Sequence, residues 1–238
     1  MRFEVLCEGY HDRAFWKGLL LHHGYEECRK LDGKKIAGGV YGYRFKDKHS
    51  LKVIPCGGKP EIRKKAIIRL RQLDIDPLDH LLINLDPDSE DYSDKPCRDM
   101  VKGLLNDSSR KYKEKNGHFL LENRGDMTTI SLVVWGTRAS GGRYLPGQQT
   151  LERLVCSAVL TNYPERGPAV GQFLKAEPHG GKVGPKQFAW SYMAKWAGDR
   201  GCEDFFNSVW EDPKLAHTLE NLLKETGAWQ SVAEILPC

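Results

Sequence analysis

Four short apolar runs mark strands: residues 3–7 (FEVLC), which alternate well enough for a half-buried strand, residues 51–55, residues 81–85, interrupted only by Asn84, and residues 128–135, rich in β-branched side chains. Turn residues close most of them. Glu8-Gly9 follows the first, Cys56-Gly57-Gly58 the second and Asp86-Pro87-Asp88 the third. Pro87 cannot donate to a ladder, so it belongs at or beyond the strand end. Between the strands the apolar spacing becomes helical. Residues 14–24 form an amphipathic stretch ended by Gly24, and residues 61–73 place Ile62, Ala66, Ile67, Leu70 and Leu73 on one face. Strand, helix and strand over residues 51–85 predict a right-handed βαβ unit, and hence an α/β fold.

The remaining pattern is less regular. Residues 33–50 are glycine-rich and basic and predict a loop or hairpin, in which Tyr41 or Tyr43 is available to stack on a base. Residues 96–116 predict a polar helix with Pro96 in its first turn. Thr150 is a candidate N-cap for the helix that follows the loop 137–149. Near the C-terminus, Phe188, Trp190, Met193 and Trp196 predict core positions of a helix, and residues 215–227 a closing amphipathic helix ended by Gly227.

Composition narrows the function classes. No run approaches the ~18 apolar residues of a membrane span, and the first residues lack the apolar stretch of a signal peptide. The seven cysteines are odd in number, widely spread and without a C-x-x-C pair, which argues against a zinc ribbon or disulfide framework. A cytoplasmic protein with reduced thiols is expected. The net charge is only +4 but uneven: between Arg29 and Arg71 there are fourteen basic residues against Asp32, Asp47 and Glu61. A basic flank beside an acidic site is what a polyphosphate substrate requires, although a Lys-rich surface is also simply well solvated.

The candidate chemistry lies at the strand ends. Glu8, Asp86 and Asp88 stand at the carboxyl ends of two strands, where open α/β sheets place their ligands. An extended backbone would turn Asp86 and Asp88 to the same side. Carboxylates gathered in this way repel unless a cation lies between them, and hard oxygen ligands suit Mg²⁺.

Strand-Glu8-Gly9-x-x-Asp12-helix, followed later by strand-Asp86-x-Asp88, resembles the Toprim family. This is the metal-binding domain of topoisomerases, primases, OLD-type nucleases and the ribonuclease that matures 5S ribosomal RNA. The likeness is closest in style to small stand-alone OLD-like Toprim proteins. It implies a Rossmann-like, mainly parallel sheet flanked by helices over residues 1–158, with a mostly helical extension, 159–238, packed on that core. It further implies that Glu8, Asp12, Asp86 and Asp88 hold one or two Mg²⁺ or Mn²⁺ ions. Glu152 is a candidate fifth ligand by the same resemblance, and equally an ordinary first-turn glutamate favoured by the helix dipole. Lys186 or Lys182 loosely matches the late lysine that OLD-like members place near the scissile phosphate. Lys59, Arg63, Arg138, Arg143 and Lys182 are the candidate nucleic-acid contacts. The activity implied is metal-dependent hydrolysis of DNA or RNA, either alone or with a partner ATPase. The alternatives are a non-catalytic module that binds metal and nucleotide or nucleic acid within a larger complex, and an acidic pocket for a small phosphorylated metabolite. A topoisomerase would need a transesterifying tyrosine in a separate large domain, for which 238 residues leave little room.

Overall fold

The structure, a computed structural model, describes the whole chain except residues 32, 47, 124, 141, 177–182, 195–200 and 237–238. Strand β1 (Arg2–Cys7) leads into α1 (Tyr10–His22). Three short strands, β2 (Glu26–Cys28), β3 (Lys30–Leu31) and β4 (Lys34–Lys35), precede β5 (Tyr41–Phe45) and β6 (His49–Pro55). Then come α2 (Lys59–Gln72), β7 (His80–Leu85), α3 (Lys95–Asp107), β8 (Tyr112–Lys115), β9 (His118–Asn123) and β10 (Asp126–Val134). The rest is helical: α4 (Leu151–Asn162), α5 (Arg166–Ala176), α6 (Pro185–Met193), α7 (Cys202–Ser208), α8 (Pro213–Thr226) and α9 (Ala228–Ala233).

Eight strands form one sheet in the order β2-β5-β6-β1-β7-β10-β9-β8. The sheet is parallel across its centre, where β6, β1, β7 and β10 lie side by side, and each flank adds antiparallel strands. The expected α/β sheet between helices is therefore present, with hairpins extending both sides. The two-residue periodicity of β7 divides the cores. Leu81, Ile83 and Leu85 pack with Ile62, Ala66 and Leu70 of α2 and Val101 and Leu104 of α3. Leu82 faces the other way, into a core with Phe15 and Trp16 of α1, Phe205 of α7 and Leu219 of α8. Residues from 159 onwards thus share a core with the first strand and helix.

Asn84, the polar interruption in β7, is fully buried and paired. Trp16 Nε1 donates to Asn84 Oδ1 at 2.9 Å, and Asn84 Nδ2 donates to Val133 O at 3.3 Å. A buried amide is tolerable only when its hydrogen bonds are made, and here they tie α1 to β7 and β10. On the opposite face, Arg69 Nε donates to buried Glu4 at 2.6 Å and its Nη1 to Asp76 O at 2.8 Å. Helix α1 meets α7 closely at Gly18, where a Cβ would lie 2.3 Å from Asn207 O and 2.7 Å from Trp210 Cδ1.

Three expectations are corrected. The helix expected over residues 96–116 stops at Asp107, and β8 and β9 follow as a hairpin. Its turn is Asn116-Gly117, with φ of 51° and 82°, the pair of left-handed residues that a two-residue type I′ hairpin demands. In the 33–50 stretch, Tyr43 is fully buried in β5 and cannot stack on a base, while Tyr41 lies under the Arg13 guanidinium at 4.1 Å. Trp190 is 49% exposed rather than core; Ala189 and Tyr192 turn inward in its place, with Phe188 and Met193 at the core margin. Trp196 falls outside the described residues. Among the described residues, no helix is long and apolar enough to cross a membrane.

Replacing Arg69 by Ala leaves the Glu4 carboxylate buried, with Lys52 Nζ 3.7 Å away as its remaining counter-charge. A loss of about 3–5 kcal/mol in unfolding free energy is expected by urea titration, and most of it should return in the double variant Glu4→Leu/Arg69→Met.

Candidate functional site

The ends of β1, β6 and β7 are joined by hydrogen bonds that converge on Glu8. Its carbonyl accepts from Gly57 N at 2.8 Å and Gly58 N at 2.9 Å, and its carboxylate Oε1 accepts from Asp86 N at 2.8 Å. Gly57 and Gly58 have φ of 92° and 106°, conformations that L side chains rarely adopt, so the Gly-Gly pair is what lets the β6 end fold over Glu8 and open α2. Asp86 in turn reaches the start of α4, where its Oδ1 accepts from Leu151 N at 3.1 Å. Thr150 caps that helix as expected, accepting from Arg153 N at 3.4 Å. Asp12 reaches back from α1 so that its Oδ2 accepts from Gly9 N at 2.8 Å.

These elements enclose a cleft of about 530 Å³ lined by Glu8, Asp12, Asp86, Asp88, Glu152 and Lys186, with the Gly57-Gly58 turn at its side. Five carboxylates from four places in the chain therefore line one cleft. Asp86 and Asp88 do not point together as an extended backbone would have them. Asp88 has a left-handed φ of 56°, its N–H donates to Gln149 O at 3.1 Å, and its exposed carboxylate pairs with Lys59 Nζ at 2.5 Å. Lys59 also lies 3.9 Å from Glu8 Oε1. It neutralises the carboxylates instead of standing free for a phosphate.

The electrostatics follow from crowding. Burial is the main cause that pushes Asp12 up to about 7; Glu8 and Glu152 add to it, against the Gly9 N–H bond. Burial and then the charges of Asp12, Glu8 and Glu152 drive Asp86 well above the usual carboxylate range. Glu8 is raised by burial, against the Asp86 N–H and Lys59. Burial would also raise Glu152, but hydrogen bonds from His11, its own backbone N–H and Thr150 outweigh it and hold the group low. The His11 ring is stacked on Phe206 with centroids 4.6 Å apart, and its Nδ1–H donates to Glu152 Oε1 at 3.1 Å.

The donor set is of the chemical kind that a hard divalent cation takes. It is all carboxylate oxygen, and Asp12 Oδ1 is buried with no hydrogen-bond partner among the described residues. The set is open: no three of these carboxylates bring ligand atoms within 4.8 Å of one another.

No family model matches the chain, and no curated protein matches it. Among solved structures it is similar to the crystal structure of hypothetical protein PH0156 from Pyrococcus horikoshii OT3. The two are 20% identical with a TM-score of 0.68, over 95% of this chain and 98% of that one. At that identity the likeness is one of fold. Hypothetical protein SA1046 from S. aureus aligns with 56% of this chain and 95% of its own at 9% identity, with a TM-score of 0.17.

The other expected contacts lie apart from the cleft lining. Arg63 pairs with Asp107 across α2 and α3, and Arg138 lies over the Tyr92 ring at 5.8 Å. Arg143 Nη2 donates to the Tyr144 hydroxyl at 3.1 Å, beside a separate groove. Lys182 falls outside the described residues. Two further residues support the site without a signal in the sequence: His11, and Arg13, whose guanidinium lies over the Tyr10 and Tyr41 rings and pairs with Glu203 at 2.6 Å. Neither position carries a periodic or motif signal; each acquires its role from residues distant in the chain.

A carboxylate whose folded pKa is raised stabilises the fold at low pH and loses that contribution as pH rises through the folded value. For Asp12 the loss runs from about 4 to about 7. Without divalent cations, chemical denaturation should show wild type losing about 4 kcal/mol over that window through Asp12. Asp12→Asn, which keeps the Gly9 bond, should flatten the profile and be the more stable protein at pH 8.

Proposed function

We propose that this protein is a Toprim-type, Mg²⁺- or Mn²⁺-dependent nuclease acting on DNA or RNA phosphodiesters. The observation that carries the reading is the convergence of Glu8, Asp12, Asp86, Asp88 and Glu152 on one cleft at the carboxyl ends of parallel strands. Their mutual repulsion, expressed in the raised Asp12 and Asp86, is relieved by a divalent cation. The Glu8-Gly9-x-x-Asp12 and Asp86-x-Asp88 pattern supplies the family resemblance, and the α/β sheet is the setting that resemblance calls for.

Glu8, Asp12, Asp86, Asp88 and Glu152 would hold the ions. When bound, such ions activate a water and stabilise the leaving oxygen of the phosphodiester. The chain's own residues prepare the site for this. His11 keeps Glu152 charged, and Gly9 N–H orients Asp12 while leaving Oδ1 directed elsewhere. Lys59 balances Asp88 and Glu8 in the metal-free state. Lys186, exposed in the first turn of α6 and lining the cleft, would meet a phosphate oxygen and offset charge that develops on it.

A second reading, a module that binds nucleic acid or nucleotide without cleaving it, is favoured by Lys59. Its 2.5 Å contact with Asp88 already neutralises part of the acidic set.

The deciding measurement is cleavage of labelled single- and double-stranded DNA and RNA with Mg²⁺, Mn²⁺ or EDTA. Products that require metal, and that fall about a hundredfold or more in Glu8→Ala and Asp86→Asn, are expected. Nucleic-acid binding without a metal-dependent product from any of the four substrates would exclude hydrolysis by this chain alone and favour the second reading.

A further inference from the structure

At the far end of α1 from Asp12, three side chains gather that the acidic cleft does not use. His22 is the last residue of α1, His23 caps it and Glu220 lies on α8; one ligand atom from each falls within 4.8 Å of the other two. Ten residues of helix separate Asp12 from His22, about 15 Å along the axis.

The geometry leaves a gap of characteristic size. His23 Nε2 is buried and has no hydrogen-bond partner among the described residues. Glu220 Oε1 lies 3.7 Å from it, too far for a hydrogen bond. Zinc bonds to nitrogen and oxygen of about 2.0–2.2 Å at a tetrahedral angle place the two ligand atoms about 3.4 Å apart. The observed separation is therefore within a few tenths of an ångström of what a bridging ion needs. The second carboxylate oxygen, Oε2, faces Lys224 Nζ at 3.4 Å, which leaves Oε1 to the histidines.

Both rings are also held against neighbours. The His22 ring lies 5.8 Å from that of Trp210, and His23 lies 5.7 Å from Trp229. The two imidazoles meet edge to face, 5.1 Å between centroids. His23 is half-buried and so loses less freedom on binding a metal than an exposed side chain; His22 is exposed and reaches the site from the helix end.

We propose that His22, His23 and Glu220 form a second metal site, distinct from the carboxylate cleft, which takes a d-block divalent ion of the zinc type with water in its remaining position. Two imidazoles and one carboxylate suit Zn²⁺, whereas Mg²⁺ prefers oxygen alone. Because the ligands come from the end of α1 and from α8, the ion ties these helices together. It is a clamp on the helix that carries Asp12 at its other end.

The test is Zn²⁺ titration of the full chain after EDTA treatment and dialysis, by calorimetry and thermal denaturation, with Co²⁺ absorption as the spectroscopic probe. Wild type should bind one Zn²⁺ at this site with a rise in melting temperature. His23→Ala and Glu220→Gln should each weaken that binding at least tenfold, while Asp86→Asn keeps it. The Co²⁺ spectrum should show ligand-field bands without thiolate charge transfer, which separates the site from the cysteines. Glu220 is partly exposed, so Glu220→Gln tests the ligand without opening the core, and circular dichroism confirms its fold. Zinc affinity unchanged in both ligand variants, no saturable zinc binding by wild type, or thiolate bands in the Co²⁺ spectrum would each overturn the assignment.

Discussion

The cleft depends on Glu8 being held where three strand ends meet. Its carbonyl anchors the Gly57-Gly58 turn and its carboxylate anchors Asp86 N–H, so one residue fixes the mouths of β6 and β7 relative to β1. Asp86 passes the constraint on to α4 through Leu151 N–H, and Asp88 N–H ties the same loop to Gln149. Each link is an ordinary hydrogen bond with a net contribution of about 1 kcal/mol. Their effect lies in geometry: they prevent the strand-end loops from separating, as like charges would otherwise make them do.

That arrangement accounts for the electrostatic imbalance of the site. Carboxylates that the backbone holds in place cannot relieve their repulsion by moving apart, so protonation, a lysine or a metal must do it. The first two are present: burial and neighbouring charges push Asp12 up to about 7, and Lys59 lies against Asp88, while Asp12 Oδ1 has no hydrogen-bond partner among the described residues. Glu152 takes a fourth course by acquiring His11 as a donor. Burial thus raises Glu8, Asp12 and Asp86, whereas the donors around Glu152 hold it low.

Much of this was legible from the chain, and the reason is locality. Apolar runs bounded by Gly or Pro located the central strands, and the acidic residues at their ends were visible because strand ends and turns are written in adjacent residues. The Asn116-Gly117 hairpin was equally local, yet the polar residues before it read as the continuation of a helix, and the turn signal lost to length. Other features had no local trace. The left-handed Asp88 follows from its bond to Gln149, and the role of His11 from a glutamate 141 residues away. The inward turn of Ala189 and Tyr192 at the expense of Trp190 depends on where α4 and α5 happen to lie.

Gly18 shows how far such dependence extends. The space that a methyl group would fill at this position is occupied by the Asn207 carbonyl, so α7 rests directly on the backbone of α1. Glu203, the partner of Arg13, and Phe206, the platform for His11, both travel with α7. A hydrogen atom in the middle of one helix therefore sets the distance at which two residues of its first turn find their supports. A side chain at residue 18 would push first on Asn207 and Trp210, and through the shift of α7 would reach His11 and Arg13, which residue 18 itself does not touch.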